Sequence, residues 1–234
     1  MKKLLIILTL LPLLTSCGDF FLFEQEPDDW EGVTMKIDFR DAYLMAGDTL
    51  PLTATFTPKN PNESPIYWFA SSDDSECFKV FNDSLVGLSS GTVSVMASAG
   101  GGMVSDIANV TIIDKWEDPG FQTLFPYDMV FYAEVTVDGE AFDDSTMMLG
   151  AYVFGELRGI GCMKTAFDIN YIELRVWADS ESMQGNVLFK CYDRTSHKFL
   201  ECEDRVEYSA YTTYGTLSNL YPITFKSNDN EEDL

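Results

Sequence analysis

Short apolar runs with a period of two dominate this chain and leave it little choice but β-structure. Leu50, Leu52, Ala54 and Phe56 alternate with other residues, as do Val93, Val95 and Ala97, and then Ala108, Val110 and Ile112. Side chains two apart point to the same face of a strand, so each run offers one apolar face to a core. Pro58, Pro61 with Asn62, and Pro65 break the chain between runs, and Gly100-Gly101-Gly102 supplies a turn before the last of them. A second series starts with an alternating run from Met129 to Val137 that ends at Asp138-Gly139, a hairpin signal. Further strand candidates cover 147–154, 155–161, 171–177, 187–192, 198–202 and 205–208. Many short strands with frequent turns, aromatics at 14% and no long Ala-, Leu-, Glu- or Lys-rich stretch predict an all-β chain of two tandem β-sandwiches. The motifs of the two halves differ, so they are not an internal repeat.

The N-terminus has a different character. Met1-Lys2-Lys3 precedes an apolar run from Leu4 to Leu14, which closes on Leu14-Thr15-Ser16-Cys17. The run is too short to cross a bilayer core, which takes ~20 residues. Basic start, apolar centre and small residues before a cysteine resemble the signal and lipobox of a bacterial lipoprotein. The resemblance implies cleavage after Ser16 and acylation of Cys17, so that fatty chains hold the protein to the membrane. It also implies an outer-membrane lipoprotein displayed at the cell surface, with the periplasmic face as the alternative.

The formal charge of −23 excludes one partner class. So acidic a chain repels nucleic-acid phosphates and anionic headgroups, so neither nucleic acid nor a membrane surface under the folded part is expected. Residues 17–32 read as the acylated cysteine and a flexible tether, with Phe20-Phe21-Leu22-Phe23 followed by an acidic stretch. A first domain spans 33–114, a linker 115–126 that contains Trp116 and Pro119-Gly120, a second domain 127–226, and an acidic tail 227–234. The tail lacks the spacing of a calcium loop.

Within the first domain, Met45-Ala46-Gly47-Asp48-Thr49-Leu50 is followed by Thr57-Pro58, by Ile66-Tyr67-Trp68 with Ser71-Ser72-Asp73, by Gly91-Thr92-Val93-Ser94-Val95, and by Val110-Thr111-Ile112. These elements, in this order, resemble a bacterial immunoglobulin-like domain of the Big2 type. The resemblance implies a sandwich with Trp68 between its sheets, and it breaks down over Ser75–Phe81, where Glu76 and Cys77 intervene. In the second domain, the run from Leu149-Gly150-Ala151 through Phe154-Gly155-Glu156-Leu157-Arg158-Gly159, with Leu188 to Asp193 later, resembles a module of exported, adhesion-type proteins of gut-dwelling Gram-negative anaerobes. That likeness implies no activity.

Residues that could carry chemistry are sparse. His197 is the only imidazole and falls in an expected hairpin turn; no nucleophile elbow, zinc-protease motif or phosphate loop is present. Neither a cofactor nor a metal is expected, and catalysis is not. The candidate disulfide is Cys191 with Cys202: a two-residue turn at Ser196-His197 would set them opposite on one face, the alternative being buried thiols. Glu156 and Arg158, two apart on a strand, form either a ligand-facing patch or an internal clamp. Tyr208, Tyr211 and Tyr214 offer flat rings with a hydroxyl, suited to a ligand, or else cover the end of a sandwich. Together these readings predict a lipid-anchored surface protein that binds a glycan or protein ligand noncovalently, its first domain a spacer. The alternatives are a glycan-binding accessory lipoprotein of a polysaccharide uptake system and a structural subunit of a surface assembly.

Overall fold

The computed structural model describes residues 30–200, 202 and 204–227. The signal, Cys17 and the last seven residues of the acidic tail lie outside them, as does most of the tether. The fold is all-β, with two sandwiches in tandem.

The first half contains β1 (Thr34–Ile37), β2 (Asp41–Met45), β3 (Thr49–Pro51), β4 (Ala54–Thr57), β5 (Tyr67–Ser71), β6 (Phe78–Val80), β7 (Ser84–Gly87), β8 (Gly91–Ala99) and β9 (Val104–Ile113). One layer has the order β2-β9-β8-β5, the other β3-β7-β6, and β1 pairs with β4 beside them. Leu44, Val93, Val95, Val110 and Ile112 meet Leu50, Cys77 and Leu85 between the layers. Farther along, β8 turns from valine to Ala97 and Ala99, and the space goes to Trp30, Met35, Ile37 and Trp68. Gly100 is required there: it has a φ of +59°, and a Cβ would come within 2.4 Å of the Trp30 ring. Trp30, part of the segment read as tether, is therefore built into the sandwich.

Leu50, Leu52, Ala54 and Phe56 do not share one strand. The chain leaves β3 at Pro51 and enters β4 at Ala54, changing partner from β7 to β1. Proline brings no N–H to a ladder, which makes Pro51 a natural end to β3.

A short helix, α1 (Phe121–Leu124), lies in the connection. The second half contains β10 (Tyr127–Val137), β11 (Glu140–Ala141), β12 (Met147–Val153), β13 (Glu156–Ala166), β14 (Ile169–Ala178), β15 (Asn186–Asp193), β16 (Lys198–Leu200), β17 (Arg205–Glu207), β18 (Thr213–Tyr214) and β19 (Tyr221–Phe225). They run β11-β10-β14-β13-β12-β15-β16, with β17 on β15 and both β18 and β19 parallel to β10. The sheet folds over on itself at β13, which pairs with β12 through Glu156, Leu157, Gly159 and Ile160 and with β14 from Gly161 to Ala166. A bulge at the start of β13 leaves Arg158 without a partner in the ladder. Gly159 and Gly161 let the layers cross: a Cβ on Gly159 would lie 2.1 Å from the Arg175 carbonyl oxygen, and one on Gly161 2.9 Å from Leu149 and Ile172. Inside the fold, Met129, Phe131, Leu149, Leu174, Val176 and Phe189 form a continuous apolar core. Phe131 meets Phe189 edge-on at 5.2 Å.

The expected Cys191–Cys202 bridge is not formed. Asp193 pairs with Lys198, so the β15–β16 loop has four residues and Leu200 stands opposite Cys191. The Asp193 carboxylate sets this loop by accepting from the Thr195 backbone N–H at 2.7 Å and the Ser196 hydroxyl at 2.7 Å. Such an aspartate-anchored turn, completed by His197 at a φ of +55°, competes successfully with the two-residue turn that would have aligned the cysteines.

The halves meet over a buried patch. Met45, Trp116 and Tyr192 are its centre, with Tyr43, Met148, Tyr152 and Phe199 around them. The Tyr43 backbone N–H donates to the His197 carbonyl at 2.8 Å, and the Tyr192 hydroxyl donates to the Tyr43 carbonyl at 3.0 Å. Arg194 pairs with Asp48 at 3.2 Å across the same junction.

Candidate binding groove

Alternation on β14 builds a second, polar surface from the same residues that make the core. Ile172, Leu174 and Val176 point inward, at most 2% exposed. Tyr171, Glu173, Arg175 and Trp177 therefore share the outward face, and Cys162 on β13 lies across from Glu173. Six residues of strand place Trp177 about 20 Å from Tyr171. Tyr132 of β10, opposite Glu173, meets Tyr171 edge-on at 5.7 Å.

The connection 116–122 rises as a wall along this face. Asp118 shapes it, accepting from the backbone N–H groups of Gly120 at 2.8 Å and Phe121 at 2.7 Å. Between wall and sheet lies a groove of about 460 Å³, with Trp116, Phe121, Ile160 and Trp177 as apolar lining and Gln122, Lys164, Glu173 and Arg175 among the polar groups. Trp116 and Phe121 are buried and stiffen the wall, while Trp177 keeps part of its ring accessible. Arg175 is held between Asp128 at 2.7 Å and Glu173 at 2.9 Å. Partial burial lowers the guanidinium's pKa, but hydrogen bonds and charge from the two carboxylates outweigh it and leave it raised. The groove therefore presents a fixed row: a flat ring, a guanidinium held by two acids, and amide and ammonium donors.

A second cleft, of about 510 Å³, lies at the junction of the halves near Tyr43, Trp116, Tyr152 and Phe199. Its rings are spent on one another, with Tyr43 and Phe199 at 4.8 Å and Trp116 and Phe199 at 5.7 Å. Lys190 covers Tyr152 at 4.5 Å.

The site residues expected from sequence occupy other places. Tyr208 is 4% exposed, within the core. Tyr214 stacks on Phe131 at 5.0 Å and meets Tyr221 at 5.5 Å. Tyr211 stands out at 66% exposure, its ring edge-on to Tyr127 at 5.8 Å. These three do not make a common platform. Glu156 and Arg158 pair at 2.7 Å, and the Arg158 guanidinium lies 4.3 Å from the centre of the Phe125 ring. The Arg158 side chain is 11% exposed, so the pair ties the end of the connection to the bulge in β13. The alternating segment Tyr171–Trp177 was the available signal for the groove. Alternation shows that its outward residues share a face, and the wall beside them makes that face a groove.

Among the described residues no cluster of His, Cys, Asp and Glu could hold a metal ion, and no helix is long and apolar enough to cross a membrane.

No family model and no curated protein matches the chain. Similar solved structures include the first three domains of Drosophila N-cadherin (10% identity over 86% of this chain and 69% of that one, TM-score 0.31). Three N-terminal domains of the outer capsid protein Hoc of bacteriophage RB49 follow (10%, 78% and 69%, TM-score 0.27). A third is the Bacteroides ovatus glucan-locus protein SGBP-B in complex with a mixed-linkage heptasaccharide (13%, 83% and 48%, TM-score 0.24). The chain spans about half the length of that last protein. At these scores the likenesses carry no argument about family or ligand, and the fold rests on the sheets described above.

Proposed function

We propose that the protein is an exported lipoprotein, acylated at Cys17, that binds an extracellular glycan noncovalently in the groove on β13 and β14. The first sandwich, read as a Big2-type module, stands between anchor and groove, and the surface of the outer membrane is the expected location. The observation that carries this reading is the outward row Glu173, Arg175 and Trp177 beside a wall of buried aromatics. A sugar ring has an apolar face that covers an indole and hydroxyls that need both donors and acceptors. Trp177 supplies the first, and Gln122, Glu173, Arg175 and Lys164 supply the second. The charges here are mixed and partly cancelled within Asp128–Arg175–Glu173, which suits an uncharged ligand better than an ionic one.

The test is a glycan array probed with the protein, followed by titration calorimetry on the best ligand. Trp177→Ala should weaken binding about tenfold, since a stacked ring contributes ~1 kcal/mol beyond area alone. Tyr211→Ala should leave binding unchanged. Equal affinity for both variants and the wild type would remove the groove from consideration.

A further inference from the structure

We infer, taking the groove as the ligand site, that Met45 of the first sandwich positions the groove wall through Trp116, so that the groove keeps its shape only while the two sandwiches are docked. The first sandwich is then part of the binding site and not a spacer alone.

The wall has one end in each sandwich. Its far end is fixed to the second: Phe121 stacks on Phe125 at 6.3 Å, and Phe125 lies against the Arg158 guanidinium, which Glu156 holds. Its near end follows directly from β9. Only Asp114 and Lys115 separate Ile113 from Trp116, and three residues of chain reach at most ~11 Å. A separation of the sandwiches beyond that slack draws Trp116 from its seat. The middle of the wall is folded on itself, with Asp118 accepting from the Gly120 and Phe121 N–H groups and the Thr123 hydroxyl donating to the Gly120 carbonyl at 2.7 Å. Where the wall stands over the floor is set at its two ends.

Trp116 is the point where three surfaces meet. Its ring packs with Tyr152 at 5.8 Å and Phe199 at 5.7 Å, and a Cβ on Gly150 would come within 3.0 Å of it. It lines both the groove and the cleft at the junction. From the first sandwich it meets Met45, wholly buried, whose sulfur accepts the Trp116 backbone N–H at 3.5 Å. An unbranched thioether fills an irregular gap beside an indole well. Met45 lines neither cavity, so it acts on the groove through Trp116. It ends β2 and stands in register with Ile113 at the end of β9, so the residue that seats the wall and the strand that leads into it are one unit. The second sandwich grips the same stretch, with the Tyr192 hydroxyl on the Tyr43 carbonyl and Arg194 on Asp48.

Two arrangements follow. In the docked one Trp116 is inserted and the wall faces the floor. In the undocked one β9 carries Trp116 out, and the near half of the wall leaves the floor. A ligand between wall and floor touches both only when the sandwiches are docked. Docking therefore raises its affinity, and the ligand favours docking by the same factor.

The experiment is hydrogen exchange of the full chain, read by mass spectrometry, with no ligand present. Met45→Ala should speed exchange of the α1 amides from Thr123 to Phe125 by roughly tenfold, while Val95 in the first core and Leu174 in the second keep their protection. Met45→Leu, which keeps the volume, should restore the wild-type rate. Lys79→Ala, exposed on β6, should change nothing. Should Met45→Ala fail to fold, Tyr192→Phe removes only the hydroxyl on Tyr43 and should speed the same amides by roughly threefold. A rise confined to β2 and β9, with α1 as in the wild type, would overturn the inference. On the glycan array, Met45→Ala should lose the signals that the wild type and Met45→Leu give. Signals of wild-type strength in Met45→Ala would also overturn it. A wild type that binds no glycan would remove the glycan reading and leave the exchange of α1 to decide how the wall is held.

Discussion

Tyr208 brings a phenol into the second core and leaves its hydroxyl without a hydrogen-bond partner. Burial pushes its pKa up to about 12, with the negative charge of Asp128 adding to the effect. A buried hydroxyl with no partner contributes little and costs its desolvation, so Tyr208→Phe should be neutral or stabilise by up to ~1 kcal/mol in chemical denaturation. A loss above ~2 kcal/mol would mean that the hydroxyl does have a partner. The same group predicts alkaline behaviour. Tyr192 is likewise raised to about 12, and so is the Cys191 thiol, in each case chiefly by burial. Each folded pKa lies above its unfolded value, so the folded state holds protons that the unfolded chain releases. Their contribution is complete below about 9 and is lost as pH rises toward 12. Unfolding free energy measured from pH 8 to 11 should fall with pH, and less steeply in Tyr208→Phe. A flat wild-type profile would contradict the burial of these groups.

At the scale of elements, β13 is the part that the rest of the second sandwich depends on. It serves two layers, and the exchange is possible only because Gly159 lets the strand pass within touching distance of the Arg175 carbonyl. Gly159→Ala must move backbone rather than a side chain, so it should cost more than ~3 kcal/mol, or prevent folding, as read by thermal denaturation. Gly155→Ala is the contrast: open space surrounds its Cβ position, and its cost is limited to the strain of a φ of +83°. Equal effects would show that the crossing is looser than described. Most strands were legible in the alternation, because period two survives wherever one face is buried. Which strand joins which layer was not legible. Pro51 splits one apolar series into two strands of different sheets, Asp193 lengthens a loop by two residues, and Gly159 sends one strand across two layers. Each depends on local geometry that alternation does not encode. The groove was hidden for a related reason. The segment 171–177 was visible as a strand, but only the folded wall from Trp116 to Gln122 turns its outward face into a groove. In the irregular stretch from Tyr208 to Tyr214, by contrast, no periodicity separates buried tyrosines from exposed ones.

For the molecule as a whole, the junction decides whether the first sandwich is a loose spacer or part of one body. Trp116, 5% exposed, fills the centre of the contact, and its backbone N–H points to the Met45 sulfur at 3.5 Å. The Arg194–Asp48 pair on the rim is partly exposed and contributes at most ~1 kcal/mol, so the apolar centre carries most of the coupling. His197 lies beside it, its Nδ1 3.3 Å from the Tyr192 hydroxyl. That hydroxyl already donates to the Tyr43 carbonyl, so it accepts from His197, and a neutral imidazole with its proton on Nδ1 satisfies the arrangement. Burial lowers the His197 pKa from 6.5, because imidazolium loses water there; Asp48 and Asp193 oppose the shift without cancelling it. The unfolded or opened chain therefore binds a proton more readily than the closed one. Its contribution is complete above about 6.5 and is lost as pH falls below that value. Calorimetry at pH 7.5 should show one transition for the two sandwiches, and acidification to ~5 should separate it into two. Trp116→Ala should produce the same separation at neutral pH, with a loss of ~3–5 kcal/mol from the cavity. His197→Gln, which retains a donor but does not titrate, should keep the single transition at the lower pH. Two transitions in the wild type at pH 7.5 would mean that the sandwiches unfold independently and that the junction is only a place where they touch.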